Sequence, residues 1–174
     1  SSIQVLEQFY TPCDGSTIAT SAGNITVGNV TAAQTSTSTL TDVTGSSITY
    51  TPPTGATQVI YEFWFHYMWV DNRNISHFPL YIAGVEVSDA RSTFEAENRL
   101  TGRFSIKWGF NIGGSTTAAT GRQATWTSGK ELKLMYRDYS SSYNSKIHHN
   151  SYWDGDEGGV VKPCVGITAI GEAS

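Results

Sequence analysis

The sequence predicts an all-β fold, an antiparallel β-sandwich of jelly-roll type with about nine or ten strands. Three observations carry that expectation. Apolar residues alternate with period two along several segments, and no segment holds a convincing helical period. Turn signals built from Gly, Pro, Asn and Asp recur at short spacing. Charged residues are only 15% of the 174 residues while Ser, Thr and Gly are plentiful, a balance that favours short strands over helices. The length fits one domain over residues 1–174 with one core.

Residues 3–10 (IQVLEQFY) alternate as a strand, and Pro12 with Asp14-Gly15 closes it with turn chemistry. Residues 16–47 are rich in Ser, Thr, Gly and Asn and form a peripheral segment of the same domain. Apolar islands at Ile25-Thr26-Val27 and around Leu40 and Val43 recur there at strand spacing, so short edge strands are expected. Residues 46–50 make another strand, stopped by Pro52-Pro53. In residues 57–70 (TQVIYEFWFHYMWV), an extended chain puts Tyr61, Phe63, Phe65, Tyr67 and Trp69 on one side. Glu62, Trp64, His66, Met68 and Val70 fall on the other. Both sides are largely apolar, whereas a sandwich strand needs one apolar face, so the second side is expected to lie against something besides its own core.

Residues 80–87 read as two short strands around Ala83-Gly84. Residues 92–100 are the one helical candidate, with Phe94 and Leu100 too few to make a face. Residues 103–112 are cleanly amphipathic, Phe104, Ile106, Trp108, Phe110 and Ile112 forming the core side. A small-residue loop over 113–121 leads to a short strand at 122–127 and a longer one at 130–139. A polar tip at 140–145 precedes a strand at 146–153, an acidic Gly-rich loop at 154–159 and the closing strand at 165–171.

Formal net charge is −4, and the 11 Lys and Arg residues are scattered singly, so no basic stripe exists to neutralise phosphates and nucleic acid is not an expected partner. No apolar run is long enough for a membrane-crossing helix, and membrane insertion is not expected. Cys13 and Cys164 stand near opposite ends without a CxxC pattern. A disulfide tying the ends together and two separate buried thiols both fit.

The four histidines sit in no nucleophile or metalloprotease signature, and no cofactor is implied. His148 and His149 are adjacent on an expected strand and would point to opposite faces, which makes shared metal ligation awkward. Asp154, Asp156 and Glu157 place three carboxylates within four residues, a spacing that suits an oxygen-ligated cation, although DGDEGG is no EF-hand loop and also suits a solvated turn. With Asp138 the same three could in principle supply a glycosidase pair, but a fixed separation is required that no sequence supplies, and the chain is read as a non-enzyme. The aromatics carry more. Tyr136, Arg137, Asp138, Tyr139, Tyr143, His148, Tyr152 and Trp153 gather around the 140–145 tip in the mixture of rings and polar groups that recognition surfaces use, against the alternative that several rings fill the core. Trp64, His66 and Met68 are the candidates for a subunit interface, against the alternative that a loop of the same chain covers them.

The segments LEQFYTPCDGSTI, ITYTPPTGATQVIYEFWF, IHHNSYWDG and VGITAIG resemble terminal domains of virion structural proteins from marine tailed phages, especially fibre or appendage proteins of cyanophage type. The resemblance spans most of the chain and contains no active-site motif. It implies a jelly-roll head that trimerises as C1q and tumour-necrosis-factor heads do, located on the virion, in contact with other virion proteins and with a host surface glycan or protein. The chain departs from long fibre proteins in having no repeat or coiled-coil stalk. A capsid decoration protein that touches only virion subunits and a carbohydrate-binding module are the other readings the sequence allows.

Overall fold

The computed structural model describes residues 2–70, 73–97, 100–151, 153–155 and 158–173. Its strands are β1 (Gln4–Pro12), β2 (Thr17–Thr20), β3 (Gly23–Thr26), β4 (Gln34–Thr35), β5 (Thr41–Asp42), β6 (Ile48–Tyr50), β7 (Ala56–Trp69), β8 (Arg73–His77) and β9 (Leu80–Ile82). They continue as β10 (Val85–Glu86), β11 (Thr93–Glu97), β12 (Thr101–Asn111), β13 (Lys130–Asp138), β14 (Ser145–Ile147), β15 (His149–Asn150), β16 (Gly159–Val160) and β17 (Cys164–Gly171). The excess over the expected number comes from strands of two to four residues, too short to leave a period in the sequence.

Two antiparallel sheets face each other as a jelly-roll-like sandwich. The first is six-stranded, in the order β1-β17-β7-β14-β4, with β12 on the other edge of β7. The second is seven-stranded, in the order β10-β9-β13-β8-β11, with β5 and β6 on the other edge of β13. Strands β7 and β13 are therefore the spines of their sheets. Along β7, Val59, Tyr61, Phe63, Phe65 and Tyr67 are at most 1% exposed. Phe65 lies 5.1 Å from Phe78 and 5.3 Å from Phe104, centroid to centroid, and Phe78 stacks on Tyr136 of β13 at 4.9 Å and 11°. This ring column joins the two sheets with the offset and tilted geometries that aromatic quadrupoles favour.

Two expected elements differ. The helical candidate at 92–100 contains β11, because Thr93, Glu95 and Glu97 face solvent while Phe94 and Ala96 turn inward, and β8 supplies an edge to pair with, from Thr93↔His77 to Glu97↔Arg73. The expected strand at 122–127 does not form: Gly113 and Thr117 donate to the carbonyls of Gln123 and Arg122, and two isolated bridges, Ile112 to Gln123 and Thr117 to Arg122, are its only pairing among the described residues. Trp126 is anchored there, its indole Nε1 donating to the Tyr50 carbonyl at 2.9 Å. By contrast, the hairpin at 80–87 forms as the sequence predicts. Its two turn residues, Ala83 and Gly84, have φ of 48° and 79°, as a type I′ turn requires.

The closing strand is locked to the spine at Gly55. Its φ is +95°, its carbonyl accepts from the Glu172 amide at 3.1 Å, and a Cβ at this position would stand 2.0 Å from the Glu172 carbonyl oxygen. Gly55→Ala is expected to destabilise the protein by about 3 kcal/mol through left-handed strain and loss of this seam, as read by chemical denaturation.

Candidate functional site

Strand β13 ends in Arg137 and Asp138, with Tyr139 next, and the alternation of the strand separates them. Asp138 points inward and is wholly buried, while Arg137 is half-buried on the outer face and Tyr139, just past the strand, is 68% exposed. Tyr136, also inward, is core. Tyr143 is 43% exposed on the loop to β14. The structure thus corrects the expectation for Asp138 and His148 as surface contacts: both are fully enclosed, because each sits at an inward position beside β7. Trp153 is 70% exposed, in a separate pocket with Asn150, Gly158, Gly159, Val160 and Val161. Tyr152 lies outside the described residues.

His148 breaks the expected strand at 146–153 into β14 and β15 by taking φ of +64°. Its amide donates to the His66 carbonyl at 2.8 Å, and its ring stands edge-on to Phe65. The ring Nε2 lies 2.9 Å from the Thr44 carbonyl, which only accepts, so the proton resides on Nε2. Nδ1 is buried with no hydrogen-bond partner among the described residues. Burial is the main cause that lowers the His148 pKa to about 4, with the Thr44 carbonyl acting weakly against it.

Behind β13 lies a buried polar cluster that sequence reading missed. Tyr67 bonds Asn74 and Ser76, Ser76 Oγ meets Ser145 Oγ at 2.8 Å, and Tyr136 also bonds Ser145, whose amide donates to Ser36 Oγ at 2.8 Å. These groups come from β7, β8, β13, β14 and the chain beside β4. Only the assembled sandwich brings them together, and their mutual bonds offset the cost of burial.

The outer face of β7 carries Trp64 and His66, both half-buried. The Arg103 guanidinium sits 3.9 Å from the Trp64 ring centroid, and His66 Nε2 lies 2.8 Å from Thr101 Oγ1. Met68 is different. It is 5% exposed because the segment after β14 folds over it, with His149 Nδ1 3.3 Å and Ser151 Oγ 3.7 Å from its sulfur. Met68 is therefore withdrawn from the candidate interface, leaving Trp64 and His66.

Cys13 and Cys164 are free thiols. Pro12, not Cys13, is the cross-strand partner of Cys164, so the two side chains fall on opposite faces. Cys13 is in the core, its thiol donating to the Gly45 carbonyl at 3.4 Å, and burial pushes its pKa up to about 12. Asp154 is exposed while Asp138 is enclosed, so these two do not face a common cleft. Asp156 and Glu157 lie outside the described residues. Among the described residues no group of three or more His, Cys, Asp or Glu side chains is placed to hold a metal.

A second feature was invisible without β8. Arg137 is directly opposite His77 across the β13–β8 pair, and the two line a pocket of about 320 Å³ with Pro79, Glu86, Arg91 and Thr93. The Tyr139 ring stands 6.5 Å from the His77 ring at its edge.

No protein-family model matches the chain, and no curated protein matches it. Among solved structures, one of the infectious bursal disease virus Gx strain overlaps 98% of this chain and 42% of its own, at 9% identity and a TM-score of 0.38. A structure of the T13 IBDV viral particle overlaps 92% of this chain and 41% of its own, at 10% identity and a TM-score of 0.27. The chain therefore spans about two fifths of those chains, and overlaps this loose carry no argument.

The His148 ring makes a pH dependence explicit. Its folded value, about 4, lies below the unfolded value of about 6.5, so the fold favours the neutral ring. Stability is then full above about pH 6.5 and falls by about 3 kcal/mol as pH drops to about 4. Urea unfolding of the wild type and of His148→Asn, which tolerates the left-handed backbone, measures this: the difference between the two chains carries the His148 share and vanishes if the ring is already protonated in the fold.

Proposed function

We propose that the chain is the head of a virion appendage that binds a host surface component through its exposed loops, and that it works as a binder rather than a catalyst. The observation that carries this reading is the pair of large exposed rings, Tyr139 at 68%, one residue past β13 and edge-on to His77, and Trp153 at 70%, lining its own pocket in the short turn between β15 and β16. An exposed ring next to polar donors provides a flat stacking surface at low entropic cost. The resemblance of the quoted segments to appendage proteins of marine tailed phages supports the virion assignment. Tyr139→Ala and Trp153→Ala should each weaken binding to immobilised glycans or isolated bacterial envelopes by about tenfold, with the thermal melt unchanged, since both rings stand clear of the core. Binding unaffected by either change overturns the loop assignment.

Assembly is a second element of the reading. The half-buried Trp64 under Arg103 offers an apolar and cation–π patch on the outer face of β7 that an identical subunit about a symmetry axis could cover. Light scattering of the purified chain is expected to give about three times 18.9 kDa, and Trp64→Lys to give a folded species at the single-chain mass. A variant that stays trimeric places the interface elsewhere.

A further inference from the structure

We propose that the His77–Arg137 pocket binds the carboxylate of an acidic sugar, with Tyr139 as the platform for the sugar ring. This rests on the host-binding reading above and names the class of ligand for one of its two pockets.

The pocket is built by cross-strand pairing. Arg137 and His77 are directly opposite each other, and neighbours so placed on one sheet face stand within about 5.5 Å at Cβ. The Arg137 Nε donates to the Asp138 carbonyl at 3.2 Å, which fixes the plane of the guanidinium. Among the described residues no carboxylate pairs with it. The other arginine in the pocket, Arg91, is already neutralised by Glu86, whose two oxygens accept from its Nε at 2.9 Å and Nη2 at 3.0 Å. The uncompensated cation is thus Arg137, and its fork geometry suits a bidentate carboxylate. His77 engages Thr93 Oγ1 through Nδ1 at 2.9 Å, which orients its ring beside the guanidinium and keeps Nε2 from that partner. Pro79 adds apolar surface to the lining, and the exposed Tyr139 ring, outside that lining, stands 6.5 Å from the His77 ring.

The shape decides between ligand classes. A pocket of about 320 Å³ lies at the lower end of small-molecule sites, has room for one charged group and a ring, and has the Tyr139 ring beside one of its lining residues, His77. An extended acidic peptide would instead use a sheet edge or a run of cations. Here β8 is paired with β11 and β13, and β13 is paired with β8 on one edge and β5 on the other, so neither offers a free edge beside Arg137. The overall charge of −4 sharpens the point, because an anion reaching this pocket gains only from local geometry.

The test is calorimetric titration of the whole chain with two trisaccharides that differ only in the terminal residue, glucuronic acid or glucose. The acidic ligand is expected to bind at least tenfold more tightly. Arg137→Ala should remove that preference, and Arg137→Lys should restore only part of it because the ammonium lacks the fork. Tyr139→Ala should weaken both ligands. Thermal melts of each variant separate loss of the site from loss of the fold, and Arg73→Ala, an exposed arginine paired with Glu95 and Glu97, serves as a control that leaves the preference intact. Equal affinity for the two sugars, or an acid preference that survives Arg137→Ala, overturns the pocket assignment while leaving host binding through the loops in place. Failure of both sugars together with loss of all binding to envelopes overturns the host-binding reading itself. Displacement of the acidic sugar by a glutamate-rich peptide at lower concentration assigns the pocket to a protein carboxylate and overturns the sugar.

Discussion

The structure depends on β7. It is paired on both edges, with β12 along residues 58–68 on one side and with β17 and then β14 on the other, so almost every backbone group of a 14-residue strand is used. Its inward residues are nearly all aromatic, and they supply the first-sheet half of the ring column that ends on Tyr136. A strand so loaded cannot slip by one residue, because a slip would send five enclosed side chains to the outer face. The rest of the sandwich is placed by that fixed register: β17 closes at Gly55, β14 takes up the same edge of β7 beyond β17, and the buried cluster of Tyr67, Ser76 and Ser145 lies along that β14 stretch.

Fixing the frame this way leaves the chain free at its loops. The turn after β13 and the segment after β15 carry exposed rings that contribute little to the core, Tyr139 directly past the end of β13 and Trp153 in the short turn between β15 and β16. Rigid support with exposed aromatics lowers the entropy lost on binding, since the rings are held before a ligand arrives. Arg137 illustrates the economy of the arrangement. Its neighbours Tyr136 and Asp138 point into the core, and alternation alone delivers the guanidinium to the outer face opposite His77.

The enclosed polar groups behave differently from the surface ones. The hydroxyl cluster sits in the interior with defined partners, His148 is bonded there through Nε2, and burial holds its ring neutral. The neutral His148 ring contributes its full share of stability above about pH 6.5 and less as pH falls toward about 4, while the pocket on the outer face is not part of that interior network.

The sequence by itself determined the all-β class, the amphipathic strands at β7 and β12 and the two short strands around Ala83-Gly84, whereas the exposure of Tyr139, Tyr143 and Trp153, left open against a place in the core, was decided by the fold. The class and the strands follow from alternation or turn chemistry within a few residues. The sequence also showed that β7 had a second apolar face, though not what lay there. Tertiary structure decided that Met68 is covered by the chain after β14 while Trp64 is not, and that Thr93–Glu97 forms a strand because β8 offers it an edge. It also buried His148 and Asp138 and set Arg137 against His77. These outcomes depend on which strand pairs with which across long separations in the chain, and period-two alternation records which side a residue faces but not what stands opposite it.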